Sequence, residues 1–321
     1  MIKKSLMLIL LFASTAMAQA QDKALYQHLQ DVSVTVKSFA GEGSGVIVTR
    51  EVANSAGKKE KVNFVWTAAH VVDGLRSARV VINDGKPTTV VEFKDAQIVK
   101  ELVENGRRVG EIKMEAKVIK YSDSENGDDL ALLMIRKKGF IDKTTLFYAQ
   151  DESIPIGTEL YHVGSLLGQV GSNSMTRGIL SQIGRVLDLG TGDGVIFDQT
   201  SCPGFPGSSG GGVFLSERSK GNEGRYVGML VRGAGETFNL IVPVRRMREY
   251  AKKNGVLWAI DEKMQAPPYE EILALPIEGT ISEQSKDQKS KTATGKTDFP
   301  FLFKRSQNKA IPTKKSVFFP R

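Results

Sequence analysis

Short apolar and β-branched runs, separated by polar clusters, dominate the pattern along this chain. Val32 to Val36 alternates with period two, which places Val32, Val34 and Val36 on one face of a strand. Comparable runs follow at 45–49, 62–67, 78–82, 88–93, 98–103, 116–121 and 130–135. A second series covers 158–163, 174–187, 194–199, 211–215, 226–231 and 238–242. Gly, Asp, Asn and Lys clusters lie between them and leave no room for alternating helices, so the pattern predicts an all-β sandwich or barrel. The run 174–187 is long enough to be a hairpin turning at Gly178 or Gly184. Residues 22–30 suit a short helix. A clearer one spans 244–254, opened by Pro243, stopped by Gly255 and carrying Lys252 and Lys253 in its last turn. From about Asp261 apolar residues thin out, and 261–321 reads as a disordered tail with two aromatic spots, FPFLFK and SVFFPR.

Charge changes this picture only at the ends. The net charge is +8, but residues 281–321 hold ten Lys/Arg against three acids, so the folded body is close to neutral. A nucleic-acid partner is therefore not expected, and the tail reads as a solvated linker or a contact to an anionic surface. The first twenty residues pair Lys3 and Lys4 with an apolar stretch from Leu6 to about Ala18 and the small-x-small triplet Ala18-Gln19-Ala20. That is the pattern of a secretory signal peptide cut after Ala20, with a retained anchor as the alternative. The single cysteine, Cys202, cannot form an internal disulfide, which suits a bacterial periplasm or secretion without a disulfide framework. With one Cys and three His, the usual structural zinc patterns are excluded, and no metal or cofactor is expected.

Three local signals concern chemistry. His70 follows an apolar run in VWTAAHVV, a setting in which a lone His is ordinarily structural. Asp129 stands at the mouth of the run Leu130–Leu133, where an Asp is ordinarily a turn residue, and its neighbour Asp128 reads as solvated. The stretch PGFPGSSGGGV (203–213) fits neither helix nor ordinary strand, and Gly207-Ser208-Ser209-Gly210-Gly211 fits G-x-S-G-G with Ser209 as the serine. A weakly nucleophilic hydroxyl needs a base, and the base needs an orienting acid, so the three together point further than any one alone.

In that order, with GEGSGVIVT (41–49) and VGSLLGQVGSNSMTRGILSQIGR (163–185), the chain resembles the trypsin-like (chymotrypsin-fold) serine peptidases, nearest the bacterial HtrA/Deg-type or glutamyl-endopeptidase-like branch. The resemblance covers about Val32 to Gly255. It implies two six-stranded antiparallel β-barrels with the site between them, the first over about 31–145 and the second over about 146–243, within a domain of 21–260. It implies His70 as general base, Asp129 as its orienting acid and Ser209 as nucleophile. The backbone N–H groups of Gly207 and Ser209 would receive the developing oxyanion. Pro203 and Gly204 would begin one wall of a specificity pocket, and Val231, Arg232 and Gly233 would pair with an extended peptide. His162 could favour acidic side chains. Ser208 departs from the family's usual Asn or Asp, which argues against activation by a freed N-terminus. Phe205 and Gly212 also depart, and Cys202 near the pocket wall reads as a small buried hydrophobe. The implied activity is that of an exported serine endopeptidase without a PDZ domain. The alternative is a catalytically silent domain that binds peptides or a partner.

Overall fold

A computed structural model describes residues 22–278, except 84–85, 105–106, 150–152 and 189–193. Residues 1–21, where a signal peptide is expected, and the stretch beyond 278 lie outside the described residues. After a helix over 22–31 (α1), the strands run β1 Ser33–Ser38, β2 Gly41–Ala53, β3 Lys59–Thr67, β4 Arg76–Asn83, β5 Lys86–Phe93, β6 Ala96–Glu104, β7 Arg107–Ser122 and β8 Leu130–Ile135. They continue as β9 Glu159–Leu166, β10 Gly171–Asp188, β11 Gly194–Thr200, β12 Gly212–Leu215, β13 Tyr226–Gly233 and β14 Asn239–Pro243. Between β3 and β4 lies a single helical turn, α2 Ala69–Val72. The late helix is α3 Val244–Lys253, and a last short one is α4 Tyr269–Ala274.

The strands close into two antiparallel barrels, in the orders β1-β2-β3-β8-β7-β6 and β10-β11-β14-β13-β12-β9, while β4 and β5 form a separate ribbon. The strands of each barrel bury apolar side chains in its core, among them Val34, Val36, Ile98 and Val118 in the first and Val163, Phe197 and Ile241 in the second. β8, LALLMI, is buried at every position because barrel and cross-connections cover both of its faces. Trp66 and Phe64 on β3 are fully buried, each contributing roughly 2–3 kcal/mol of apolar burial. Trp66 Nε1 donates to the Ala259 carbonyl at 3.2 Å, and Phe64 stacks edge-on against Trp258 with centroids 4.8 Å apart. The chain after α3 thus returns to seal barrel 1.

Two expectations are corrected. Residues 174–187 are not a hairpin: β10 is one strand that pairs with β9 and then with β11. Gly178 is there for close approach, since a methyl group on it would lie 2.3 Å from the Cys202 nitrogen. Gly184, at φ +69°, sits at a register shift between Gln182 and Arg185, a bulge and not a turn. The boundary at 260 also falls inside the folded body. Ile272 of α4 is buried, Lys120 Nζ donates to the Pro276 carbonyl at 2.6 Å, and Tyr121 N donates to the Ile277 carbonyl at 2.8 Å. Ala266 and Ile272 are buried, Tyr269, Leu275 and Ile277 pack against the core, and Arg76 pairs with Glu278, but these anchors are too scattered to form an apolar period in sequence.

Candidate active site

His70 occupies the second position of α2, immediately after β3 ends at Thr67. Ala68 and Ala69 are fully buried, so only small side chains let the turn sit flat on barrel 1. Asp129 precedes β8 with φ +55°, a left-handed conformation that costs a non-glycine residue about 1 kcal/mol or more. A loop of its own hydrogen bonds holds it there: Asp129 N donates to the Asp123 carbonyl (3.2 Å) and Asp128 N to Ser122 Oγ (2.8 Å). The conformation aims the carboxylate at His70. Both oxygens lie 3.0 Å from Nδ1, and Oδ1 also accepts from the His70 backbone N at 3.1 Å. Asp129 is 1% exposed, whereas the His70 side chain is 32% exposed. A carboxylate only accepts, so Nδ1 carries the hydrogen and Nε2 presents a lone pair. Asp128 is not solvated alone: it accepts from Arg246 Nε of α3 at 3.1 Å.

The two serines of the glycine-rich turn separate cleanly. Ser208 is fully buried, and its Oγ accepts from Phe205 N at 3.1 Å, a bond internal to the turn. Ser209 is half-buried, and its Oγ donates to the Val231 carbonyl at 3.5 Å. Gly207 has φ +94°, and Gly210 has φ +87° with no space for a side chain: a methyl there would lie 2.1 Å from the Ser44 carbonyl oxygen and 3.0 Å from Ala68 N. That close approach sets the Ser209–Gly210 peptide against the segment leading into His70. Among the described residues, neither Gly207 N nor Ser209 N has an acceptor.

Beside the turn, Pro203 accepts from Thr176 Oγ1 (2.8 Å) and Gly204 N donates to the Glu236 carbonyl (3.2 Å). Opposite them run Val231, Arg232 and Gly233. The β12–β13 ladder ends at Met229, while β13 pairs with β14 out to Gly233, so among the described residues one edge of this segment carries no strand. Arg232 Nη2 donates to the Ser124 carbonyl at 2.7 Å, tying the segment to the Asp129 loop. Asn239 was not visible as a candidate. Its Nδ2 donates to the Cys202 and Glu236 carbonyls, both at 2.9 Å, and its Oδ1 reaches between the walls. A methyl on Gly233 would lie 2.2 Å from that oxygen, and one on Gly204 3.1 Å from it. Only its contacts to the segments that follow β11 and β13 reveal this residue.

His162 does not serve the pocket. It is fully buried within barrel 2, where Nδ1 donates to the Gly212 carbonyl at 3.0 Å, and burial lowers its pKa to about 4. A neutral, enclosed imidazole cannot select acidic side chains. Cys202 is equally inert: burial pushes its thiol up to about 11, and Sγ points at the Leu160 carbonyl.

Two closed barrels, one carrying the His70–Asp129 pair and the other the glycine-rich turn with Ser209, define a chymotrypsin-like architecture. The sequence profile of the trypsin-like peptidase domain matches residues 43–229, more than half of the chain, and the chain belongs to that family. Comparison with curated proteins gives no match. Among solved structures, the chain is similar to Deg5 (18% identity, TM-score 0.50, covering 76% of this chain and 98% of that one). It is also similar to Rv3671c of M. tuberculosis in an inactive serine-to-alanine form (16%, 0.49, 72% and 90%). A third is a serine endoprotease from Yersinia pestis (19%, 0.46, 73% and 66%). At 18% identity the likeness to Deg5 speaks to the fold alone.

Proposed function

We infer that the chain is an exported serine endopeptidase that cleaves peptide bonds through an acyl-enzyme. The observation that carries this reading is the Asp129–His70 pair, 3.0 Å apart, in a domain whose half-buried serine is flanked by two amides without acceptors. In the proposed reaction Ser209 Oγ turns from the Val231 carbonyl toward His70 Nε2, gives it the proton and attacks the substrate carbonyl carbon. The carbonyl oxygen, now negative, takes hydrogen bonds from Gly207 N and Ser209 N, each worth about 3 kcal/mol of barrier. His70 passes its proton to the departing amine as the C–N bond breaks, which leaves an ester on Ser209. Water then attacks that ester, with His70 taking and returning the proton. Asp129 holds the tautomer and stabilises the imidazolium.

The open edge at Val231–Gly233 suits an extended peptide added as a strand. Asn239 fills the space between Gly204 and Gly233, which favours a small side chain at the cleaved residue; Asn239→Gly should raise turnover of substrates with a larger one by about tenfold. Export rests on the leader pattern of residues 1–20; a mature chain recovered from periplasm should begin at Gln21. The basic stretch 281–321 is proposed as a contact to anionic surfaces.

A fluorophosphonate probe tests the central reading. Labelling is expected in the natural chain and in Ser208→Ala and should vanish in Ser209→Ala. One observation favours the silent-domain alternative: the Ser209 hydroxyl is given to Val231 and not to His70. A natural chain that binds peptides but never labels would establish that alternative.

A further inference from the structure

The acceptor-free amides of Gly207 and Ser209 have a cause that can be traced peptide by peptide. In a trans peptide the C=O and the N–H point in opposite directions, so fixing one fixes the other. The Pro206 carbonyl accepts from Leu167 N at 2.7 Å, which turns the Gly207 N–H the other way. In the next unit the Gly207 carbonyl accepts from Ser44 Oγ at 2.6 Å, and the Ser208 N–H returns to the Phe205 carbonyl at 2.9 Å. The Ser208 carbonyl accepts from Gly211 N at 2.9 Å, which leaves the Ser209 N–H outward. Finally, the Ser209 carbonyl accepts from Ser44 N at 2.7 Å, while the Gly210 N–H goes to the Leu230 carbonyl at 2.8 Å. Of four consecutive units, two have a held carbonyl and an unclaimed N–H, and they are the two that the chemistry needs.

Ser44 supplies two of these anchors, and it belongs to β2 of the opposite barrel. It is fully buried, its Oγ accepts from Ser165 N at 2.7 Å while donating to Gly207, and its carbonyl accepts from Thr67 Oγ1 at 2.7 Å. Every polar atom of the residue is therefore committed. A surface or packing serine would not need this arrangement.

We propose that Ser44 is a positioning residue for the oxyanion-binding turn: its hydroxyl, delivered from barrel 1, holds the Gly207 carbonyl away from the site and so keeps the peptide unit between the two amides from turning its oxygen into the space they face. This rests on the hydrolase reading above. Gly207 lacks a Cβ and is the residue about which the 207–208 unit can turn over, which would swing a carbonyl oxygen toward the position meant for negative charge. The hydroxyl of Ser44 and the Ser208–Phe205 bond are the two restraints against that turn. The dyad is untouched by the first of them, because the hydrogen bonds of Ser44 Oγ go to Gly207 and Ser165 and not to His70 or Asp129 among the described residues.

Ser44→Ala tests this, because it deletes the hydroxyl and keeps the backbone N that holds the Ser209 carbonyl. With a fluorophosphonate as the probe, the inactivation rate constant should fall about tenfold to a hundredfold, with the binding constant for the probe within twofold of the natural chain. The pH midpoint of inactivation should not move, since the His70–Asp129 pair is intact; general loosening would shift it. Ser44→Cys, close in volume and a weaker donor, should fall between serine and alanine, and it serves if the alanine variant fails to fold. Folded Ser44→Ala or Ser44→Cys that inactivates within twofold of the natural chain overturns the proposal. A natural chain that never labels overturns the hydrolase reading itself, and this proposal with it.

Discussion

The two barrels contribute to the site in different ways. Barrel 1 presents a finished pair: His70 and Asp129 are joined by a ring contact and a main-chain bond, both from residues of that barrel. Barrel 2 presents a turn whose shape depends on the other barrel, through Ser44. Barrel 2 answers in kind. Arg232 and Arg246 reach across to the Ser124 carbonyl and to Asp128, both in the loop that aims Asp129. Each half thus steadies a loop of the other, and in the proposed reaction neither is arranged for the chemistry by itself. A site split between two rigid bodies needs such cross-contacts, because side chains must be held within a few tenths of an ångström.

The largest effect should come from breaking the finished pair. Asp129→Asn keeps the volume but offers an NH2 group as well as an acceptor, so the imidazole can take the wrong tautomer. Turnover should fall by about 10⁴-fold with little change in substrate affinity, measured as kcat against KM on a small peptide substrate. A loss below about tenfold would mean that the barrel 1 pair is structural.

The barrels should also separate in acid. His162 lies inside barrel 2 with its folded pKa lowered to about 4, against about 6.5 when unfolded. Between those values the unfolded chain binds a proton that the folded chain does not, so stability falls as pH drops from about 6.5 towards 4. The loss is of order 2–4 kcal/mol. Hydrogen exchange should show β9 and β12 losing protection before β3 and β8. His162→Gln should flatten the dependence over this window. Uniform loss of protection in both barrels would place the acid sensitivity elsewhere.

The difference between the barrels also explains what the sequence could reveal. All fourteen described strands fall on runs legible as period-two or continuous apolar segments, because one buried face is enough to write that signal. His70, Asp129 and Ser209 are legible as candidates because each sits beside a local marker: small residues, an apolar strand or a glycine-rich turn. Ser44 lies in a glycine-rich strand as well, yet its role consists of bonds to residues more than a hundred positions away. Asn239 and Arg246 are similar, since nothing near them in sequence shows which loop they touch. The strap at 261–278 leaves hardly any pattern, because its apolar contacts through Ala266, Tyr269, Ile272, Leu275 and Ile277 are scattered along it without a period.

The smallest effect is also the sharpest test of mutual support, because α3 carries its own control. Arg245 and Arg246 are neighbours. Arg245 pairs with Asp198 through two bonds of 2.6 Å, both ends within barrel 2 and its following helix. Arg246 instead donates to Asp128 in barrel 1 and stacks its guanidinium over Phe197, 5.1 Å from the ring centre. Each substitution to Met keeps the stem and removes the charge. Arg245→Met leaves Asp198 buried with the Gly184 N–H but no cation beside it, so its cost should appear in stability, about 1–3 kcal/mol, with kcat unchanged. Arg246→Met frees the Asp129 loop, so its cost should appear in kcat, about tenfold, with a smaller change in Tm. If both variants lose only stability, the cross-barrel bond from Arg246 is packing. If Arg246→Met alone slows turnover, the helix after barrel 2 aligns an acid in barrel 1, and the site is a property of the interface between the two.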